Sequence, residues 1–362
     1  YIKLLPVVLI TALMVGIFSK DYLFELNSRY FSAGGDGLKS YYCAWYHAQY
    51  DSDAHHFMGM NHPWGESINF TDGQPPVANF VRWIDQNVMP CAHKIPGIFN
   101  FLMLFSIIPS AAFLFLILKR FRLPDWYATL VAIAIAFLSP QIGRMPGHFS
   151  LSWGFWIPLL IYLILLIEEK PSWLKSGLFA TATLLASLMH MYFFLFSVAL
   201  LGIYWLNRIF IKRDIDKYGI ELLHFAIQIV VPFAIIQFLM IDEIADRGMH
   251  PYGFYAYRAY PGSIFLPVNK AYAPFISKLG FVRKYEWESL AYVGLIASLG
   301  FWIGAFAYFK RLIAKSESSV FTKDEKHPIN ILFWSGFLLL LFSFGIPFIL
   351  GLEKLRNSIG FL

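Results

Sequence analysis

Uninterrupted apolar runs, rather than an alternating pattern, dominate this chain. Stretches near 2–18, 98–118, 125–139, 151–167, 176–189, 191–206, 222–240, 289–309 and 330–350 carry almost no charge. Runs approaching twenty residues make helices long enough to cross a hydrocarbon layer of roughly 30 Å. The pattern predicts an all-α polytopic membrane protein with about nine transmembrane helices. Within 176–206 one polar residue, His190, separates two apolar runs, which predicts a tight helical hairpin. Residues 1–18 lack a small-residue cleavage site and read as a span rather than a signal peptide.

Between the first two runs the period changes. Leu38, Tyr41, Tyr42 and Trp45 recur at helical spacing on one face, with Lys39, Ser40 and His47 on others. Phe80, Trp83, Ile84 and Val88 repeat the pattern around Arg82 and Asp85. Both patterns predict short amphipathic helices lying at the membrane interface. They fall in a long first external loop, 19–97, and the Pro- and Gly-rich segment "HPWGESINFTDGQPP" (62–76) between them reads as ordered loop.

Composition agrees with this reading. The chain is 58% hydrophobic and only 14% charged, too little charge to cover a soluble domain of 362 residues. Its net charge of +6 matters for placement more than for size. Loops 119–124, 168–175, 207–221 and 310–329 carry 3, 2, 4 and 5 Lys or Arg, whereas the opposing loop 139–148 has only Arg144. Basic loops stay cytoplasmic, so 19–97 and a second large loop, 241–288, are expected outside. No basic stripe interleaved with stacking aromatics appears, so nucleic acid is not an expected partner. The chain reads as a single transmembrane domain, 1–362. It begins with Tyr1 rather than Met and stops soon after an apolar run, which suggests a piece of something longer.

The candidate chemistry gathers on the external side. In "AGGDGLKSYY" (33–42) Asp36 is wrapped in glycines. An Asp before an amphipathic helix serves as an N-cap; a carboxylate on so permissive a backbone also suits a general base close to a bulky ligand. Asp72 of "FTDGQPP" is a second carboxylate in that loop, or the pivot of an Asx-turn. His47, Asp51, Asp53, His55, His56 and His62 crowd a short stretch, yet no zinc-type spacing is present. Cys43 and Cys91, both in the first external loop, form a candidate disulfide between its helices. Glu288 starts a span, where an acid is a functional candidate or complements the helix dipole. Tyr252, Phe254, Tyr255, Tyr257 and Tyr260 suit either sugar stacking or an interfacial aromatic belt.

Taken in order, "GGDGLKSYY", "HFMGMNHPWGESINFTDGQPP", "RMPGHFSLSWGFWIPL" and "WESLAYVG" resemble membrane proteins of the GT-C glycosyltransferase superfamily, nearest a branch found in Bacteroidetes-type bacteria. The likeness spans most of residues 1–300. It implies an inverting transferase in the bacterial cytoplasmic (inner) membrane, working on the extracytoplasmic side. The sugar would pass from a polyprenyl-phosphate donor to a lipid or glycan acceptor. Asp36 would be the catalytic carboxylate, with Asp72 the alternative. On the residues themselves, Arg144 and His148 of "GRMPGHFS" suit holding the donor phosphate, a guanidinium pairing well with phosphate oxygens, or Arg144 anchors to lipid headgroups. Arg247 and Arg258 are second candidates, His190 is a satisfied helix-end residue or a phosphate ligand, and Tyr257 is a further pocket candidate. The likeness leaves a divalent cation, Mg or Mn, open. Two other readings stand beside it: a transporter or lipid flippase, and a non-catalytic scaffold on the same fold. A transporter predicts ionisable residues within spans and two similar halves, and neither is evident.

Overall fold

In the computed structural model the described residues are 2–212, 218–240, 257–268, 273–278, 289–314 and 323–345. They are helical apart from turns and one two-stranded ribbon. Two compact units are present, Tyr1–Ala245 and Asp246–Leu362.

The first unit opens with α1 (Leu5–Phe18), and a short helical turn at Lys20–Phe24 leads to α2 (Gly35–Tyr50). The antiparallel ribbon pairs β1 (His56–Phe57) with β2 (Glu66–Ser67), with His56 opposite Ser67. Then come α3 (Pro75–Asn87), α4 (Ile95–Phe105), α5 (Ile107–Arg120), α6 (Asp125–Leu138) and α7 (Trp156–Glu169). The unit continues through α8 (Trp173–Met189), α9 (Tyr192–Leu206), α10 (Tyr218–Phe225) and α11 (Val231–Leu239). In the second unit, α12 (Leu295–Ala314) and α13 (Lys323–Ser343) meet through aromatic rings, including Phe301 on Phe333.

Among the described residues each expected span overlaps apolar helix, but 98–118 is divided at Ser106, 289–309 is helical only from Leu295, and the helices differ in reach. Five segments are long and apolar enough to cross a membrane: Ala92–Arg120, Asp125–Arg144, Phe149–Glu169, Tyr192–Phe210 and Gly219–Leu239. Leu5–Phe18, Trp173–Met189, Leu295–Lys310 and Pro328–Ser343 are shorter. At 1.5 Å per residue a 14-residue helix such as α1 rises only about 21 Å, short of the roughly 30 Å hydrocarbon core. The second span begins at Ala92, earlier than its apolar run suggests, because the turn Ala92–Lys94 leads directly into α4.

Exposure argues for a membrane independently of length. Leu9, Leu13 and Ile17 of α1, Leu130 and Leu138 of α6, and Ile296, Ile303 and Phe306 of α12 all stand exposed. Apolar faces this extensive are stable where lipid, not water, covers them. The chain is a helical membrane protein.

The face of α2 picked out by helical spacing is divided between interior and surface. Gly37, Ser40, Tyr41, Ala44, His47 and Ala48 are buried, whereas Leu38 and Tyr42 are exposed. Small residues let α2 pack closely on α3 and α4, and the buried polar groups on this face find partners. In α3 the selection is similar: Pro75, Ala78 and Val81 are buried, while Phe80, Trp83 and Val88 face outward. Close backbone approach fills the interior with small residues and leaves most of the large rings at the surface.

One buried amide ties these parts together. Asn100 of α4 accepts a hydrogen bond from the Tyr41 hydroxyl and donates to the carbonyls of Leu26 (2.8 Å) and Arg29 (2.6 Å). Tyr41 in turn accepts from the Phe31 amide at 3.3 Å. Asn100 therefore fixes the chain between α1 and α2 against the second span. Replacing it with Leu strands two carbonyls and a hydroxyl, and is expected to cost about 2–4 kcal/mol. A thermal melt of the purified variant in detergent checks this; an unchanged midpoint contradicts the clamp.

Candidate functional site

The glycines around Asp36 have separate jobs. Gly35 has φ +59°, a left-handed conformation that a side chain would strain. A Cβ on Gly37 would lie 2.6 Å from the Ser32 Cβ and 3.0 Å from the Pro146 carbonyl oxygen. Gly37 is thus the point where the loop after α6 touches the first turn of α2. Arg144 and His148, two residues either side of Pro146, bracket that contact.

Asp36 does not cap its helix. The cap position is Gly34, with no side-chain bond, and Asp36 lies one residue inside the first turn. Its carboxylate instead approaches Lys39 Nζ at 3.7 Å, and Asp72 approaches the same ammonium at 2.7 Å. The two carboxylates singled out in the sequence therefore share Lys39, whose importance the sequence pattern did not reveal. Burial by itself would lower the Lys39 ammonium, but the hydrogen bond and charge of Asp72, with the charge of Asp36, raise it. All three side chains are at least one-third exposed, so these pairs add little stability. Their effect is to hold the two carboxyl groups and one ammonium in register.

Local backbone supports that placement. Asp72 and Gln74 both sit at positive φ, +60° and +52°. Gln74 is the N-cap of α3 and is fully buried. Its side-chain oxygen accepts from the Trp153 indole at 2.8 Å, while its Nε2 has no hydrogen-bond partner. Trp156, in the same apolar cluster as Trp153, has a buried indole N–H that also lacks one. Left-handed non-glycine residues and orphan buried donors each carry a cost and concentrate at functional sites.

His190 ends α8 at the break before α9, where a hairpin was expected. Burial pushes its imidazole down to about 4, opposed by the Asp72 charge and assisted by His148. Asp72 and His148 therefore both lie within electrostatic reach of His190, although the three come from separate segments. The Arg144 side chain has no ion pair among the described residues.

Other candidates fall elsewhere. Arg247 and Glu288 lie outside the described residues, as do Tyr252, Phe254 and Tyr255. In the second unit the Arg258 guanidinium donates to the Tyr260 hydroxyl at 3.1 Å and stacks on that ring; Tyr257 is partly exposed. Cys43 and Cys91 are both free and buried, contrary to the expected disulfide. Cys43 faces Phe57, Ile68 and Met60, whereas the Cys91 thiol is directed to the Val81 carbonyl. They pack into different clusters. Burial raises the Cys43 thiol to about 12.

The His/Asp-rich stretch is consumed by local structure. Buried His47 pairs with Asp51 at 2.7 Å and with Asn79 at 3.1 Å, and Asp53 accepts from the amides of His55 and His56. Among the described residues no three His, Cys, Asp or Glu gather as a metal site. Between Asp36 and Asp72, moreover, the Lys39 ammonium holds the cation position. Among the described residues this arrangement does not fit a divalent cation.

A polar network that sequence reasoning missed lies at the other end of α8. Ser176 hydrogen-bonds His224 and Gln228, Trp205 donates to Gln228, and Arg208 pairs with Glu221 at 2.6 Å. Fourteen residues separate Ser176 from His190, a helical rise of about 21 Å. Those groups therefore belong to a different level of the helix bundle.

A family model described as "Domain of unknown function (DUF6311)" covers residues 7–353, and the chain belongs to that family. No curated protein and no solved structure matches it.

Two outcomes check the site. His190 is harder to protonate in the folded chain than when unfolded, so the unfolded state binds more protons between pH 6.5 and about 4. Stability should therefore fall by about 1–2 kcal/mol as pH drops through that window, and His190→Asn should remove this part of the dependence. Melting midpoints across the window, wild type against variant, test the sign. Denatured protein should also present two free thiols, with the same gel mobility with and without reductant; a shift on reduction would contradict the packing of Cys43 and Cys91.

Proposed function

We propose that this DUF6311 protein is a membrane glycosyltransferase of GT-C type, inverting, acting on the extracytoplasmic side of the bacterial inner membrane. The reading takes all nine apolar helices as spans and α2 and α3 as interfacial helices. The exposed face of α3, with Phe80 and Trp83 stacked at 6.5 Å, supports that placement. The observation that carries the functional reading is the meeting of Asp36, Lys39 and Asp72 beside the loop bearing Arg144 and His148.

In this mechanism Asp36 takes the proton from an acceptor hydroxyl as its oxygen attacks the anomeric carbon of a polyprenyl-phosphate-linked sugar. The anomeric carbon–oxygen bond to phosphate breaks in the same step, and the phosphate leaves with the electron pair. Negative charge on that oxygen is met by Arg144 and His148, a guanidinium being well shaped for phosphate oxygens. Lys39 holds Asp36 and Asp72 together. The buried N–H groups of Gln74 and Trp156 offer donors to an oxygen-rich substrate, and Trp153 and Phe155 supply aromatic surface beside them. The acceptor is a lipid or glycan bearing a free hydroxyl.

The test is sugar transfer from a labelled polyprenyl-phospho-sugar in membranes carrying the protein. Loss of the general base in Asp36→Asn should lower turnover by roughly 10²–10⁴-fold. Arg144→Ala should weaken donor use, while Leu38→Ala, on the exposed face of α2, should leave turnover unchanged. Undiminished transfer by Asp36→Asn would remove the catalytic role.

A further inference from the structure

A groove of about 410 Å³ runs between the turn after α1 and the start of α4, apart from the carboxylate cluster. Leu26 and Asn27 form one wall; Gly97, Ile98, Phe101 and Leu102 form the other. His93 and Lys94 stand at its upper end. The volume lies in the range of small-molecule sites, and the walls are almost wholly apolar. We propose that this groove binds one anionic phospholipid, an acyl chain lying along α4 and the phosphate at Lys94 and His93.

The groove is built rather than incidental. Asn27 clasps the helix start by two hydrogen bonds, accepting from the Gly97 amide at 3.2 Å and donating to the His93 carbonyl at 3.3 Å. A Cβ on Gly97 would meet Asn27 at 3.3–3.4 Å, so glycine keeps this wall close. The opposite face of α4 is committed to the core through Phe99, Asn100 and Met103. The groove face is therefore the outward one. It begins the apolar segment Ala92–Arg120, which places it where hydrocarbon meets headgroups.

Both ends of the site match one ligand chemistry. Below the groove, Phe101 stacks on Phe105 at 4.0 Å, and both rings are partly exposed, continuing the apolar track by a turn. Above it, Lys94 is exposed and has no ion pair among the described residues, and no carboxylate lines the groove. An ammonium at that depth attracts an anionic headgroup by about 1 kcal/mol. None of Asp36, Lys39, Asp72 or His148 lines the groove, so the lipid is a bilayer component and not the sugar donor. The assignment does not rest on the proposed transferase activity.

Native mass spectrometry of the full chain in neutral detergent tests it, with phosphatidylglycerol and phosphatidylcholine added in equal amounts. One phosphatidylglycerol should be retained, preferred over phosphatidylcholine by roughly fivefold or more. Lys94→Glu, an exposed change that should leave the melting midpoint unchanged, should abolish the preference. Ile98→Trp, which fills the groove, should reduce retention of both lipids. Equal retention of the two lipids by the wild type, a preference that survives Lys94→Glu, or displacement of phosphatidylglycerol by equimolar polyprenyl phosphate would each overturn the proposal.

Discussion

The arrangement of the first unit turns on the amide of Asn100, held where water cannot reach. A buried amide with an unmet donor or acceptor costs free energy comparable to a lost hydrogen bond, and Asn100 answers it by binding Tyr41 and the carbonyls of Leu26 and Arg29. The turn leaving α1 is thereby held against α4, and α2 is held through Tyr41. Once α2 is fixed at that point, its first turn must lie against the loop carrying Pro146. The contact between Gly37 and the Pro146 carbonyl follows from this packing and not from any attraction between charged groups.

The same logic separates what is structural from what is free to act. His47, Asp51 and Asn79 look like chemistry in the sequence, yet they satisfy one another and the backbone around the ribbon. Asp36, Lys39 and Asp72 are half-open and bound to one another by pairs worth little in stability. Strained φ values at Asp72 and Gln74 and the orphan N–H of Gln74 cluster in the same few residues. Cost without evident structural return is what a site designed to meet a substrate would leave behind.

A second theme is the division of labour along α8. His190 at one end accepts from the Tyr192 amide and feels the charges of Asp72 and His148, while Ser176 near the other joins a closed network with His224, Gln228 and Trp205. Polar side chains within an apolar helix bundle are expensive unless paired. The Ser176 network is paired within itself, which suits a fixed joint between helices, and Trp173 stacks over His224 at 4.0 Å to close it.

Apolar runs and the break at His190 were legible in the chain because lipid imposes one requirement everywhere: a long enough apolar segment with every backbone group bonded inside it. Glycines flanking Asp36 were legible as a site of special backbone for a similar local reason. Which small residues of α2 and α3 turn inward was not, since that depends on how closely the two helices approach. Nor was the Lys39 bridge, because Asp36 and Asp72 lie far apart in sequence and their meeting depends on how α2 packs against α3. The two cysteines were misjudged on the same ground: a shared loop says nothing about which way each thiol points. Sequence determined the solvent in which this protein folds; only tertiary packing decided which of its few charges face one another, because pairing is a matter of distance, which the order of residues does not encode.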